Sequence, residues 1–181
     1  MPGGFRFGIH LGVDADPLVG GGPALRIRIR DMVLRDLDEV MEIEKASFPT
    51  PWSRGMFSED LDRPFSRPFS RPFVAEGASG EVMGYAVCWN VAGESHILNI
   101  AVRPDRRGAG VGRALVRECI RRGARAGCAR IHLEVRAGNE EAQRLYLRCG
   151  FVFDGIRKGY YTDTREDAFL FSREIRVRDA V

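Results

Sequence analysis

Residues 97–116 read ILNIAVRPDRRGAGVGRALV, and their reading decides the fold. An apolar strand runs through Val102 into a turn, Arg103-Pro104-Asp105. A basic, glycine-rich loop follows, Arg106-Arg107-Gly108-Ala109-Gly110-Val111-Gly112, and opens directly into an amphipathic helix. Successive backbone N–H groups at a helix N-terminus make an anion site when bulky side chains are absent, and a pyrophosphate suits it. Glycine serves there because a residue without Cβ lets the backbone approach a phosphate or adopt positive φ. The unit is expected to bind a phosphorylated ligand; a strand-to-helix turn with no ligand is the competing reading of the same residues.

The spacing narrows the ligand. A nucleotide P-loop needs Lys and then Ser or Thr after its last glycine, whereas Gly112 is followed by Arg113-Ala114. A dinucleotide fingerprint spaces its glycines G-x-G-x-x-G, with an acid about 20 residues on. Here Gly108, Gly110 and Gly112 are each separated by one residue, although Glu134 does stand at about the distance of that acid. What remains is Arg/Gln-x-x-Gly-x-Gly/Ala, met by Arg107, Gly110 and Gly112, which resembles the coenzyme A pyrophosphate loop of the GCN5-related N-acetyltransferases. The likeness continues in HLEVRAGN at 132–139, AQRLYLRCGF at 142–151, GYY at 159–161 and REDAFLF at 165–171. This wording, with FPTPWS at 48–53, is similar to the RimI group, bacterial enzymes that acetylate the N-terminal alanine of a small-subunit ribosomal protein. The resemblance covers residues 27–175.

Composition sets the outer limits. The chain has 181 residues, a net charge of +3 and an ordinary apolar fraction, which suits one domain with one substantial core and does not argue for direct nucleic-acid binding. Cys88, Cys119, Cys128 and Cys149 lack paired spacing and read as reduced thiols of a cytoplasmic protein. His10, His96 and His132 are scattered without ligand spacing, so no metal site is expected. No apolar run approaches the ~18 residues of a membrane span, and no membrane partner is expected. Residues 1–24 are glycine-rich without periodic apolar content; they read as a flexible extension ahead of a domain over 25–178.

Local patterns order the elements. Leu25–Arg30 alternates as a first strand, Asp36 precedes a helix through Leu37, Val40, Met41 and Ile43-Glu44, and Ser53 caps a second, shorter helix. Residues 63–73 read RPFSRPFSRPF; three prolines at that spacing exclude a helix interior or central strand, leaving a lengthened surface loop. Strands follow at 73–76 and 82–90, the latter expected to carry Val82, Gly84, Ala86 and Cys88 on one face. The helix from Gly110 to about Ala126 turns Arg113, Arg117, Arg121 and Arg125 outward. Arg130–Arg136 alternates with Ile131, Leu133 and Val135 inward, Asn139 caps a helix closed by Gly150, and two strands finish the domain. The expected fold class is α/β, a GCN5-related acetyltransferase fold with a mixed central sheet flanked by helices.

The chemistry follows from what amine acylation requires: a neutral amine, a polarised thioester carbonyl and a protonated leaving thiolate. An α-amino group, with pKa near 8, is roughly a tenth neutral at pH 7, against about one in a few thousand for lysine. A carboxylate acting through water can meet so modest a demand. Glu134, opposite the inward face of its strand, is the candidate base because the resemblance implies a base there; pairing with Arg136 or another surface arginine is the structural alternative. The resemblance also implies that Tyr146 protonates the coenzyme A sulfur, that Ile100, Ala101 and Val102 offer backbone groups to acetyl-CoA, and that Arg107–Arg113 hold its pyrophosphate. Beyond capping its helix, Asn139 would touch the pantetheine arm. Trp52, Tyr160 and Tyr161 are expected beside a protein or peptide N-terminus, although Thr162 stands where the group usually has proline. A small-molecule amine or amino-acid acetyltransferase, and a non-catalytic acyl-CoA-binding module, are the rival functions. Retention of both Glu134 and Tyr146 argues against the last.

Overall fold

The computed structural model describes residues 8–10, 26–62, 70 and 72–180. A short strand β1 (Gly8–His10) is followed by β2 (Arg28–Asp31), α1 (Leu37–Ser47), α2 (Arg54–Asp62), β3 (Phe73–Glu76), β4 (Val82–Val91) and β5 (Glu94–Val102). Then come α3 (Val111–Arg125), β6 (Arg130–Arg136), α4 (Glu140–Arg148), β7 (Val152–Tyr161) and β8 (Glu166–Glu174). One mixed sheet runs β2-β3-β4-β5-β6-β8-β7, antiparallel except where β5 meets β6, and β1 adds a second parallel pairing on β5. Of the strand expected over 25–30, the described residues place Arg28–Asp31 in β2. The RPFS repeat falls largely outside the described residues; its Ser70 bridges to Trp89 and its Phe73 opens β3. The extension over 1–24 lies outside them apart from β1.

Each sheet face has its own core. On one, Val111, Leu115, Val116 and Cys119 of α3 and Ala142, Leu145 and Tyr146 of α4 pack on Ala86, Cys88, Ile97, Ile100 and Val135. On the other, Leu37, Val40 and Ile43 of α1 and Phe57 of α2 pack on Val74, Val82, Tyr85, Val87 and Leu98. The helix ends obey local chemistry: Asn139 Oδ1 accepts from the Ala142 amide at 3.1 Å, and Gly127 and Gly150 take φ of 75° and 84° beyond α3 and α4. At the start of α1, Asp36 is buried and gripped in a fork by Arg30 at 2.6 and 2.8 Å.

Two bulges correct the expected alternation. In the β3–β4 ladder Ala75 faces Gly84 but Glu76 faces Val82, so Met83 is an extra residue. Val82 therefore joins the α1 core, while Met83, Ala86 and Cys88 face α3. In the β4–β5 ladder Val87 faces Asn99 and Cys88 faces Ile97, so Leu98 is extra. A Cβ on Gly84 would come within 2.7 Å of the Ala101 carbonyl oxygen and 3.1 Å of Leu115 Cδ1. Gly84→Ala should accordingly destabilise the fold by about 1–3 kcal/mol, read from chemical denaturation; an unchanged midpoint would mean that β4 and β5 are not packed this closely.

Candidate active site

The site begins where β5 and β6 part. They pair only from Glu94↔Arg130 to Ile97↔Leu133, although β5 continues to Val102 and β6 to Arg136. The bulge at Leu98 sits where pairing stops, and bulges near such openings re-aim side chains. After β5, Pro104–Arg106 forms a helical turn, Gly108 and Gly110 take φ of 75° and 86°, and α3 starts at Val111. The first amides of any α-helix lack acceptors within the helix and carry the positive end of its dipole. A Cβ on Gly110 would meet none of the described residues within 4 Å. Arg107 braces it from behind: its Nε donates to the Val102 carbonyl and its Nη2 to Ser47 Oγ, each at 3.3 Å. The loop thus suits a pyrophosphate in backbone and in charge. On the edge of β5 facing the opening, β1 pairs Gly8, Ile9 and His10 with Asn99, Ile100 and Ala101. Two of these are positions whose backbone groups are expected to serve the cofactor.

Glu134 projects from β6 opposite the buried Ile131, Leu133 and Val135. Its partner is Arg157 of β7, at 3.3 Å, not Arg136. Burial pushes the Glu134 carboxyl up from its ordinary range, against the pull of Arg157 and His132. Tyr160 stands within the field of the same carboxylate, with the Arg157 guanidinium 5.1 Å from its ring centre. Tyr146 is fully buried among Phe151 and Phe171, and burial drives its phenol well up, so it keeps its proton. Its hydroxyl has no hydrogen-bond partner among the described residues, and neither has that of Tyr161. A buried hydroxyl is rarely left without an acceptor.

Trp52 lies half-buried on the loop between α1 and α2, with its ring against Phe57. That loop is tied across the site: Thr50 Oγ1 donates to Asp163 at 2.9 Å, and Arg136 reaches the same carboxylate at 2.8 Å while lying over the Tyr161 ring at 3.9 Å. A cleft of about 610 Å³ opens between Ser47, Phe48 and Pro49 on one side and Arg136, Asn139 and Glu166 on the other. The geometry thus gathers Glu134 with Tyr160, and Asn139 with the acceptor-side loop. Trp52 packs on Phe57, whereas Glu134 pairs with Arg157.

Residues 37–151 match the acetyltransferase (GNAT) family. The chain belongs to that family. It is 39% identical over 143 residues to a Bacillus subtilis protein provisionally named a ribosomal protein bS18-alanine N-acetyltransferase, covering 78% of this chain and 91% of that one. It is 33% identical over 151 residues to the Escherichia coli enzyme of that name, covering 82% and 98%. A crystal structure of the ribosomal protein alanine N-acetyltransferase of Escherichia coli superposes with a TM-score of 0.73 at 33% identity, covering 83% of this chain and 94% of that one. The protein is an N-acetyltransferase with the GNAT fold.

Several contacts around this region were not read from the sequence. Glu44 and Asn99 are fully buried and bonded to each other, and Tyr85 joins them. Both carried a signal: Glu44 continues the apolar spacing of Leu37 and Val40 on α1, and Asn99 is the lone polar residue in the run 97–102. The Thr50–Asp163–Arg136 link had none, because it joins two loops far apart in sequence. His96 and His132, which look scattered along the chain, stack at 5.2 Å across β5 and β6. Among the described residues no group of three or more His, Cys, Asp or Glu side chains could hold a metal, and no helix is long and apolar enough to cross a membrane.

Proposed function

We propose that the chain is a protein N-terminal (α-amino) acetyltransferase that takes acetyl from acetyl-CoA, with the N-terminal alanine of a small-subunit ribosomal protein as its acceptor in the cytoplasm. The observation that carries this reading is the half-buried Glu134, raised in pKa yet open to the face that bears Tyr160. A base poised there need only remove a proton from an amine that is already partly neutral. The names of the 33–39% identical relatives support the choice of acceptor.

In this reading acetyl-CoA supplies an activated thioester, and the protein's own groups do the rest. Gly108–Arg113 receive the pyrophosphate on backbone amides, with the Arg107 guanidinium behind them. The end of β5, Ile100–Val102, offers backbone groups to the acyl and pantetheine portions, one N–H polarising the carbonyl. Asn139 borders the pantetheine from the start of α4. Glu134 accepts the amine proton through water, and Tyr146 holds the proton that the departing sulfur needs. Trp52, Tyr160 and Tyr161 flank the acceptor N-terminus. The deciding experiment is mass spectrometry of a peptide panel incubated with acetyl-CoA. The panel varies the first residue over Ala, Ser and Met and includes a blocked N-terminus with an internal lysine. Acetylation at the α-amino group of Ala peptides is expected; modification of the internal lysine alone, or of none, overturns the reading.

Because β1 pairs with the β5 edge that the cofactor would use, it must leave before acetyl-CoA enters. Deleting residues 1–24 should leave Tm and saturated turnover nearly unchanged and lower KM for acetyl-CoA by roughly two- to tenfold, the factor by which competent molecules increase. Equal KM values for the two forms would show that β1 does not compete.

A further inference from the structure

We propose that Glu44 is a positioning residue for acetyl transfer: its buried carboxylate ties the acceptor-side loop at Trp52 to the bulged end of β5 at Asn99, and its protonation state sets how firmly the two sides of the site are held together. The proposal rests on the reading that this loop borders the acceptor.

Glu44 is fully buried in the last turns of α1, yet no charged side chain faces it among the described residues. The groups that do face it come from every element packed there. The Trp52 amide donates to Oε1 at 2.7 Å from the loop, Asn99 Nδ2 lies 3.3 Å from both oxygens on β5, and the Tyr85 hydroxyl donates to Oε2 from β4. Tyr85 is the only titratable member among the described residues, and α2 contributes the edge-on ring of Phe57 against it. The bulge explains how Asn99 arrives: Leu98 and Asn99 both turn towards α1, while Ile97 and Ile100 face α3. Asn99 adjoins Ile100, at the strand end assigned to the acetyl group. One turn on from Glu44, Ser47 meets Arg107 of the glycine loop. The end of α1 therefore touches all three parts of the site.

An ionised carboxylate matches three donors and no acceptor, so the network as built is the ionised form. Protonation has an outlet as well. If Oε2 takes a proton it can donate to Tyr85 Oη, and the Tyr85 hydroxyl can turn to Asn99 Oδ1, 3.3 Å away. The Trp52 amide is then left on a neutral oxygen, a weaker acceptor. Burial pushes the Glu44 carboxyl up to about 7, with the Trp52 and Asn99 bonds pulling against it, so both forms are populated near neutrality.

The test reads the loop directly. Trp52 and Trp89 are the two tryptophans of the chain, so in Trp89→Phe the fluorescence reports Trp52. Emission should titrate with a midpoint near neutral pH, and Glu44→Gln should abolish that titration. Tyr85→Phe, which removes one donor to the carboxylate, should move the midpoint up by about one pH unit. It serves as the second variant if Glu44→Gln folds poorly. Glu44→Gln should also lower kcat/KM for the acceptor peptide roughly ten- to a hundredfold, mostly through KM, with less effect on KM for acetyl-CoA. A flat titration in Trp89→Phe, or one that persists when Glu44→Gln is added, overturns the proposal. Neither fluorescence result depends on which acceptor the enzyme uses, so failure here is distinct from failure of the proposed function.

Discussion

Glu134→Gln and Tyr146→Phe are each expected to lower kcat by about 10²–10⁴ while acetyl-CoA binding is largely retained. The two differ in how their losses can be recognised. Removing the Tyr146 hydroxyl costs the fold no hydrogen bond, since that group has no partner among the described residues. Tm should hold or rise in Tyr146→Phe even as turnover falls, which separates a chemical role from a structural one. An acyl donor with a better thiol leaving group should restore Tyr146→Phe in part and leave Glu134→Gln slow. For Glu134 the pH profile is the signature. A base works deprotonated, so kcat/KM should rise with pH as the carboxyl and the substrate amine lose protons. Burial places the Glu134 limb above that of an ordinary carboxylate. In Glu134→Gln the limb should move to the pKa of the free substrate amine. If neither variant slows turnover, both residues are structural and the catalytic assignment fails.

The contrast between these residues and Glu44 shows what a sequence can carry. Local grammar was legible: the glycine loop, the cap at Asn139, the stop at Gly127 and the inward face of β6 all depend on neighbours within a few residues. The family motifs carried the fold class, a mixed sheet flanked by helices, while the order of strands within that sheet was not read. The bulges at Met83 and Leu98 were invisible, because each extra residue is defined by the opposite strand and not by its own sequence. Strict alternation then put Val82 on the wrong face. Which surface arginine would pair with Glu134 was not legible either, since Arg157 reaches it from β7 across the intervening β8. Pairing of β1 with β5 had no periodic signal to announce it, since three residues show no period.

Gly110→Asp should lower acetyl-CoA affinity on the order of a hundredfold or more, read by calorimetry, with the fold intact. The loop presents helix-end amides at a point where a side chain at position 110 would meet no atom of the described residues within 4 Å. A carboxylate placed there confronts the pyrophosphate with a like charge, and such juxtapositions cost several kcal/mol. The backbone consequences are smaller. Gly110 sits at φ 86°, which costs a residue with Cβ about 1–2 kcal/mol, least for Asp and Asn. An acid at the N-terminus of α3 gains back about 0.3–1 kcal/mol from the helix dipole. Tm should therefore move little. Gly110→Ala separates the two effects, because it carries the backbone strain without the charge and should bind acetyl-CoA nearly as well as the wild type. Equal losses in both variants would assign the effect to loop geometry, and unchanged affinity in Gly110→Asp would place the pyrophosphate elsewhere.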